Sequence, residues 1–270
     1  MKTITSRDNP VLKAARLLHT RKGREEADAL LVAGQKLINE AVSAGFEVDH
    51  VFINAGALLR GEAASGTYEK EIELEEKLFC ELAEIAAPQP YMAVVKRDKG
   101  DGPVCLASET NRTVPIVLPK RVLVLDRVQD PGNVGMMLRS AYAAGMDAVW
   151  CVKGTADVYS DKAVRASAGA IFRLQVQDGL AAKDCIALTM DIGARLLVCS
   201  RGGTDLYETD LTGSFALVIG NEGTGPQEVF LDAADGIVGI PMAEGAESLN
   251  AAAAAVVVMY EARRQSGENF

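Results

Sequence analysis

Histidine is nearly absent from this chain, with His19 and His50 the only two among 270 residues. Neither lies near the glycine-rich stretches where a ligand could approach bare backbone, so a Ser-His-Asp nucleophile or a histidine metal cluster is excluded there. Both read as surface or packing residues. Cysteine is present without a pattern: Cys80, Cys105, Cys151, Cys185 and Cys199 are an odd number with no C-x-x-C spacing. That speaks against a disulfide framework and a thiolate zinc site, and leaves buried free thiols with no metal expected. No apolar run reaches the ~20 residues of a membrane-spanning helix, and Met1-Lys-Thr-Ile-Thr-Ser-Arg lacks the apolar core of a signal peptide. A protein that stays in the cytoplasm, away from membranes, is the expectation. Aromatic residues are also scarce at 5%, within a 49% apolar composition dominated by small aliphatic residues. Such a composition suits helices packed on sheets.

A net charge of −9 would by itself count against a polyanionic partner. The distribution reverses that inference. Residues 1 to 24 carry Lys2, Arg7, Lys13, Arg16, Arg21, Lys22 and Arg24 against Asp8 alone, whereas the stretch from Glu62 to Glu84 is strongly acidic. Screening confines each field to roughly 8 to 10 Å, so a local basic segment can hold phosphates on an acidic protein. Arg7, Arg16, Arg21, Lys22 and Arg24 are therefore candidate phosphate contacts to a polyanionic partner, with a solvated helix face as the plain alternative.

The length suggests two domains. In the first, basic residues alternate with Val11-Leu12, Ala15 and Leu17-Leu18 at helical spacing, Leu30 to Val32 and Val48 to Ile53 read as strands, and a helix from Gly34 to Val42 lies between them. An acidic helix is expected over Glu71 to Ala86 and a strand over Tyr91 to Val95. Lys99-Gly-Asp-Gly-Pro103 marks a linker within 96 to 118. Strands at Val122 to Leu125, Ala148 to Val152, Leu196 to Cys199 and Phe215 to Ile219 then alternate with helices at Val134 to Ala144 and Lys162 to Ala168. That is the pattern of an open parallel α/β sheet, with a site beyond the strands' C-terminal ends. The last helix, Leu249 to Arg264, is apolar on nearly every face through Val258, which predicts burial on all sides.

Three segments carry chemistry. Leu217-Val-Ile-Gly-Asn-Glu-Gly-Thr-Gly225 and Ile240-Pro-Met-Ala-Glu-Gly-Ala-Glu-Ser-Leu-Asn250 each join an apolar run to a turn built on glycine, serine or asparagine. The first lacks the Lys-Ser/Thr of a P-loop and the G-x-G-x-x-G of a dinucleotide fold. Upstream lies Asp126-Arg-Val-Gln-Asp-Pro-Gly-Asn133, followed by Arg139-Ser-Ala-Tyr-Ala-Ala-Gly145. Read from the residues alone, Asn133 is an N-cap, Arg139 a salt-bridged helix residue, Glu222 the closure of a turn and Ser248 the cap of the last helix.

In order, spacing and wording, these three segments resemble the signature of SpoU-type (TrmH-like, SPOUT class) RNA ribose 2′-O-methyltransferases, from about Arg121 to Arg264. The resemblance implies a SPOUT methyltransferase domain over 119–270 with a trefoil knot and a homodimer through the last helix. It implies S-adenosylmethionine held by the backbones around Gly220, Ile240 and Leu249, with Cys199, Ser200 and Met242 nearby. It also implies a catalytic set of Asn133, Arg139, Glu222, Ser248 and Asn250, in which Asn133 steadies Arg139 and Arg139 works at the ribose, with solvent or Glu222 taking the proton. Glu244 stands where glycine is more usual.

Ile4-Thr-Ser-Arg-Asp-Asn-Pro10, Leu31-Val-Ala-Gly-Gln-Lys-Leu37 and Ala87-Pro-Gln-Pro-Tyr-Met-Ala-Val-Val95 resemble the smaller α/β RNA-binding domain that precedes many such enzymes, which implies a substrate domain over 1–100. Ala33 and Pro90 depart from its usual residues. Ribosomal RNA stands ahead of transfer RNA as the implied substrate. The competing readings are a ribosome-assembly module without catalysis, a transfer-RNA methyltransferase, and a small-molecule enzyme using the glycine turn for phosphate.

Overall fold

The structure is a computed structural model that describes residues 2–85, 88–97 and 118–267. Cys105 and most of the expected 96–118 linker lie outside the described residues. The chain divides into two compact units, Met1–Lys99 with Tyr159–Arg165, and Gly100–Val158 with Ala166–Phe270.

In the first unit the elements run β1 (Lys2–Ile4), α1 (Pro10–Leu17), α2 (Arg21–Ala27), β2 (Ala29–Ala33), α3 (Gln35–Ser43), β3 (Val48–Asn54), α4 (Ala55–Leu59), β4 (Glu71–Leu74), α5 (Glu76–Ala83) and β5 (Tyr91–Lys96). The sheet order is β1-β4-β3-β5-β2, with β5 antiparallel to both its neighbours. Strand alternation sends Phe52, Met92 and Val94 to one face, where they pack with Leu12 and Ala15 of α1 and Leu78, Phe79 and Leu82 of α5. The expected acidic helix over 71–86 is a strand followed by a shorter helix. Glu71-Ile-Glu-Leu74 alternates with period two, and it pairs in parallel with β1 on one side and β3 on the other. Pairing along both edges outweighs the helical propensity of glutamate.

The chain continues with β6 (Arg121–Leu125), α6 (Pro131–Ala144), β7 (Ala148–Val152), α7 (Asp161–Ala166), β8 (Gln175–Leu180), α8 (Ala182–Asp191), β9 (Arg195–Asp205), β10 (Phe215–Ile219), α9 (Glu228–Ala233), β11 (Gly236–Gly239) and α10 (Ala251–Gln265), all in the second unit except α7, whose residues 161–165 belong to the first. Among the described residues the sheet is parallel throughout, in the order β11-β9-β10-β6-β7-β8. Val122, Val124, Trp150, Val198 and Val218 pack with Cys185 of α8 and Phe230 of α9. Alternation turns Leu123, Leu125, Val149 and Leu217, also fully buried, to the other face, and α6 and α10 pack against each other.

Burial accounts for the thiols. Cys151 and Cys185 are buried, while Cys80 and Cys199 are half-buried, and burial pushes the Cys185 thiol up to about 12 and that of Cys199 to about 11. The last helix departs from expectation. It begins at Ala251, and only the face carrying Ala252, Ala255, Val258, Met259 and Ala262 is buried, while Val256 and Val257 are half-covered and Tyr260 is exposed. Within one chain the sheet side can cover only half of so apolar a helix.

The C-terminal turn of α10 is held by Glu261, which is buried and accepts from Arg264 Nε at 2.8 Å, Arg264 Nη2 at 2.7 Å and Gln265 Nε2 at 2.9 Å. Hydrogen bonds from Arg264 and then Gln265 hold its carboxyl at about 2, against an ordinary 4.5. A carboxyl depressed by folding stabilises the fold above its ordinary range, and loses that contribution as pH falls from 4.5 toward 2. The melting-temperature gap between the parent and Glu261→Gln should therefore be widest at neutral pH and narrow as pH is lowered through that range. Thermal melts followed by circular dichroism measure it, and a gap independent of pH would remove Glu261 from the account.

Candidate ligand cleft at the carboxyl ends of β9, β10 and β11

The register sets Cys199 beside Ile219, and β11 ends at Gly239, so three parallel strands deliver their C-terminal ends to one place. A cleft of about 830 Å³ opens there. The pairing of β9 with β11 is interrupted: Val198 faces Ile237, yet the next residue, Val238, faces Thr204. Residues 199 to 203 thus bulge out of the ladder into the cleft wall. Gly203 permits the close approach that follows, since a Cβ there would stand 2.6 Å from the Ile237 carbonyl oxygen. Beyond β11, residues 240 to 250 have no regular secondary structure and close the opposite side of the cleft.

The 220–225 turn is tied down by its own side chains and by the loop after β6. Asn221 Oδ1 accepts from the N–H groups of Gly223 and Thr224, and its Nδ2 donates to the Arg127 carbonyl at 2.9 Å. A Cβ on Gly220 would collide with the backbone of Gly225 and Pro226. Glycine is required at 220 by the return of the chain, before any ligand is considered. Asp126, fully buried at the end of β6, accepts from the Gln227 N–H at 2.7 Å, from Gln227 Nε2 at 2.6 Å and from Arg127 Nε at 3.2 Å.

Glu222 reaches the other way. It accepts from the N–H of Gln129 at 3.1 Å, that of Asp130 at 3.4 Å and Asn133 Nδ2 at 3.0 Å. Partial burial pushes its carboxyl upward, but the donors from Asn133, Gln129 and Asp130 together outweigh burial and leave it below the usual carboxylate range. Asn133 Oδ1 in turn accepts from Asn250 Nδ2 at 3.3 Å. The three residues form a chain of hydrogen bonds from the turn, through α6, to the start of α10.

Both cap expectations are corrected. Asp130 caps α6, accepting from the Gly132 N–H at 2.7 Å, with Pro131 in the first turn, where its lack of an N–H costs nothing. Asn133 lies inside the first turn, which frees its amide for Glu222. Asn250, one helix position from Ala251, caps α10 by accepting from Ala252 N–H at 2.8 Å and Ala253 N–H at 3.2 Å. Ser248 lies too far upstream for that task and lines the cleft.

Cys199, Ser200, Gly220, Ile240, Met242 and Leu249 all line the same cleft, as does Glu222. Arg139 does not. It is exposed on α6, six residues beyond Asn133, about 9 Å along the helix axis. The bond that steadies Asn133 runs to Glu222 and Asn250. Glu244 is exposed and absent from the cleft lining. Asp126, Asn221, Asp130 and the 199–203 bulge were missed by sequence reasoning. Only Asp126, a polar residue directly after an apolar strand, left a readable signal.

The basic segment is less bare than its sequence suggests. Arg7 and Arg16 both pair with Glu81 of α5, Lys13 with Asp8, Arg21 with Glu25 and Lys22 with Glu26. Arg24 is a correction: it is buried, and its guanidinium donates to the carbonyls of Leu18 at 2.6 Å and His19 at 2.9 Å. It closes the end of α1 and cannot reach a phosphate.

The cleft suits a flat heterocycle joined to a polar tail. Ile219, Ile240 and the part-exposed Met242 and Leu249 offer apolar faces, while the irregular 240–250 backbone offers fixed donors and acceptors. A sheet that is parallel throughout its described residues, with such a cleft at its carboxyl edge, is an open α/β domain with its ligand cleft where that class of fold places one. The chain belongs to the SpoU rRNA Methylase family, whose model matches residues 120–260, and the MRM3-like substrate binding domain matches residues 9–93. It is 31% identical to the 23S rRNA (guanosine(2553)-2'-O)-methyltransferase RlmP of Bacillus subtilis, over 97% of this chain and 100% of that one. It is 32% identical to the 23S rRNA (uridine(2479)-2'-O)-methyltransferase of Streptomyces viridochromogenes, over 97% and 92%. A crystal structure of an AdoMet-bound rRNA methyltransferase from Sinorhizobium meliloti superposes with a TM-score of 0.81 at 26% identity, covering 97% of each chain.

The double duty of Asn250 is separable. Asn250→Ala removes the cap of α10 and should cost about 1 kcal/mol. Asn250→Asp keeps the cap oxygen but loses the donor to Asn133, and should unfold close to the parent midpoint. Urea titration compares them, and equal losses for both variants would mean that the Asn133 bond carries the stability.

Proposed function

We propose that this protein transfers a methyl group from S-adenosylmethionine to a ribose 2′-hydroxyl of RNA, with ribosomal RNA as the substrate. The observation that carries the reading is the Asn250, Asn133, Glu222 chain beside a cleft lined by Gly220, Ile240 and Leu249, in a chain of this family. Residues 119–270 act as the methyltransferase domain, and residues 1–100 hold the RNA. Arg7, Arg16, Arg21 and Lys22 meet phosphates there by exchanging their present carboxylate partners, an exchange that costs little because exposed ion pairs are worth about 0–1 kcal/mol.

The backbones at Gly220, Ile240 and Leu249 hold the donor's adenine and ribose, with Cys199, Ser200 and Met242 packed around them. When bound, the donor supplies an electrophilic methyl group on a sulfonium. The protein's task is then alignment and charge. Arg139, cationic and exposed, pairs with a substrate phosphate and stabilises the alkoxide as the hydroxyl loses its proton. Glu222 is a poor proton acceptor, because three donors already favour its charged form. Its work is to hold Asn133 and the turn, with Ser248 and Asn250 completing the rim, and the proton passes to solvent.

The same reading carries a trefoil knot at the last helix, a cytoplasmic location, and a homodimer through the half-covered face of α10. Among the described residues no helix is long and apolar enough to cross a membrane. Light scattering at micromolar concentration should give about twice the 28.6 kDa of one chain, and a single-chain mass would refute the dimer.

Activity is tested with purified protein, ribosomal RNA and methyl-labelled donor, followed by mapping of 2′-O-methyl positions. Arg139→Ala should lower turnover about a hundredfold or more while donor affinity stays near the parent value. Arg139→Lys should recover little, since a point charge lacks the planar fork. Parent-rate transfer by Arg139→Ala would sink the catalytic assignment.

A further inference from the structure

Arg201 sits at the tip of the 199–203 bulge, followed by Gly202 in the left-handed region at φ 74 and by Gly203 packed against the Ile237 carbonyl. These two glycines let the strand leave its ladder and rejoin it within a few residues, and the outcome is that one arginine projects at the cleft. The side chain is exposed, and among the described residues Arg201 makes no ion pair. The other charged residues lining the cleft are acids: Asp205, Glu222 and Glu247. Two of them are already engaged, Asp205 with the Tyr207 N–H at 2.9 Å and Glu222 with its three donors.

The donor of the proposed reaction is a zwitterion at its amino-acid end, with an ammonium and a carboxylate beside the sulfonium. An acid-lined cleft welcomes both positive groups and repels the carboxylate. The carboxylate needs a cation, and Arg201 is the one cation among the described residues lining the cleft. A guanidinium can hold it through two parallel N–H bonds, which fixes direction as well as place. Resting on the reading of this cleft as the donor site, we propose that Arg201 on the β9 bulge anchors the carboxylate of the donor's methionine moiety. It thereby selects ligands that carry an amino-acid tail over the bare nucleoside thioether. Arg201 is thus a binding and specificity residue, with no part in moving the methyl group.

Two probes separate this role from the others. S-adenosylhomocysteine carries the amino-acid tail, and 5′-methylthioadenosine keeps the adenosine and sulfur without it. Calorimetry should show Arg201→Gln binding S-adenosylhomocysteine about tenfold or more weakly than the parent, as expected for loss of a charge-assisted bond. Its affinity for 5′-methylthioadenosine should not change, and Arg201→Lys should fall between parent and Arg201→Gln for the first probe alone. Equal weakening of both probes would make Arg201 a structural support of the bulge and overturn the proposal. Unchanged binding of both, with RNA affinity reduced, would assign the arginine to a substrate phosphate and also overturn it. If the parent protein binds neither probe, the donor-site reading itself falls, an outcome distinct from failure of Arg201 alone.

Discussion

Two carboxylates hold the working end of the second unit together. Asp126 and Glu222 stand on opposite partners, one at the end of β6 and the other in the turn after β10, and each accepts backbone N–H bonds from the other's loop. Burying an unpaired carboxylate costs several kcal/mol, so a fully buried Asp126 is tolerable only because Gln227 and Arg127 surround it with donors. The reciprocal clamp fixes the turn, the turn fixes one wall of the cleft, and the Asn133 amide takes its position from Glu222. Without the clamp, two adjacent parallel strands would end in loops free to move independently, and the cleft would have no defined wall.

Backbone and side chains divide the labour. Glycines at 203 and 220 serve the chain's own close approaches, to β11 and to Pro226 respectively. The rest of the cleft wall is irregular backbone, partly exposed apolar side chains and a few charged ones, Arg201 among them. That arrangement places few constraints on the identity of the lining residues, which is consistent with a half-buried thiol at Cys199, its pKa raised by burial, standing in the wall.

Much of the second unit was legible in the sequence, because parallel strands buried on both faces are written as short apolar runs, and β6, β7, β9 and β10 all begin or end near where those runs do. The residues to which the resemblance assigns the donor are gathered by the structure in one cleft. What periodicity could not give depends on partners distant in sequence. β4 is a strand because β1 and β3 flank it. Asn133 is freed from capping by Asp130, three residues earlier. The cations of the basic segment lose their apparent isolation once α5 brings Glu81 against Arg7 and Arg16, and Arg24 turns inward to satisfy carbonyls at the end of a helix whose length the sequence leaves open. The bulge in β9 was invisible for the same reason: its offset is defined only against β11.

Asn250 belongs at once to the hydrogen-bonded chain that leads to Glu222 and to the N-cap of α10, and its orientation comes from N–H groups two and three residues further on. The amide that donates to Asn133 is thus aimed by the helix it begins, so a change that unwinds the N-terminus of α10 also releases the far end of the chain that runs through Asn133 to Glu222.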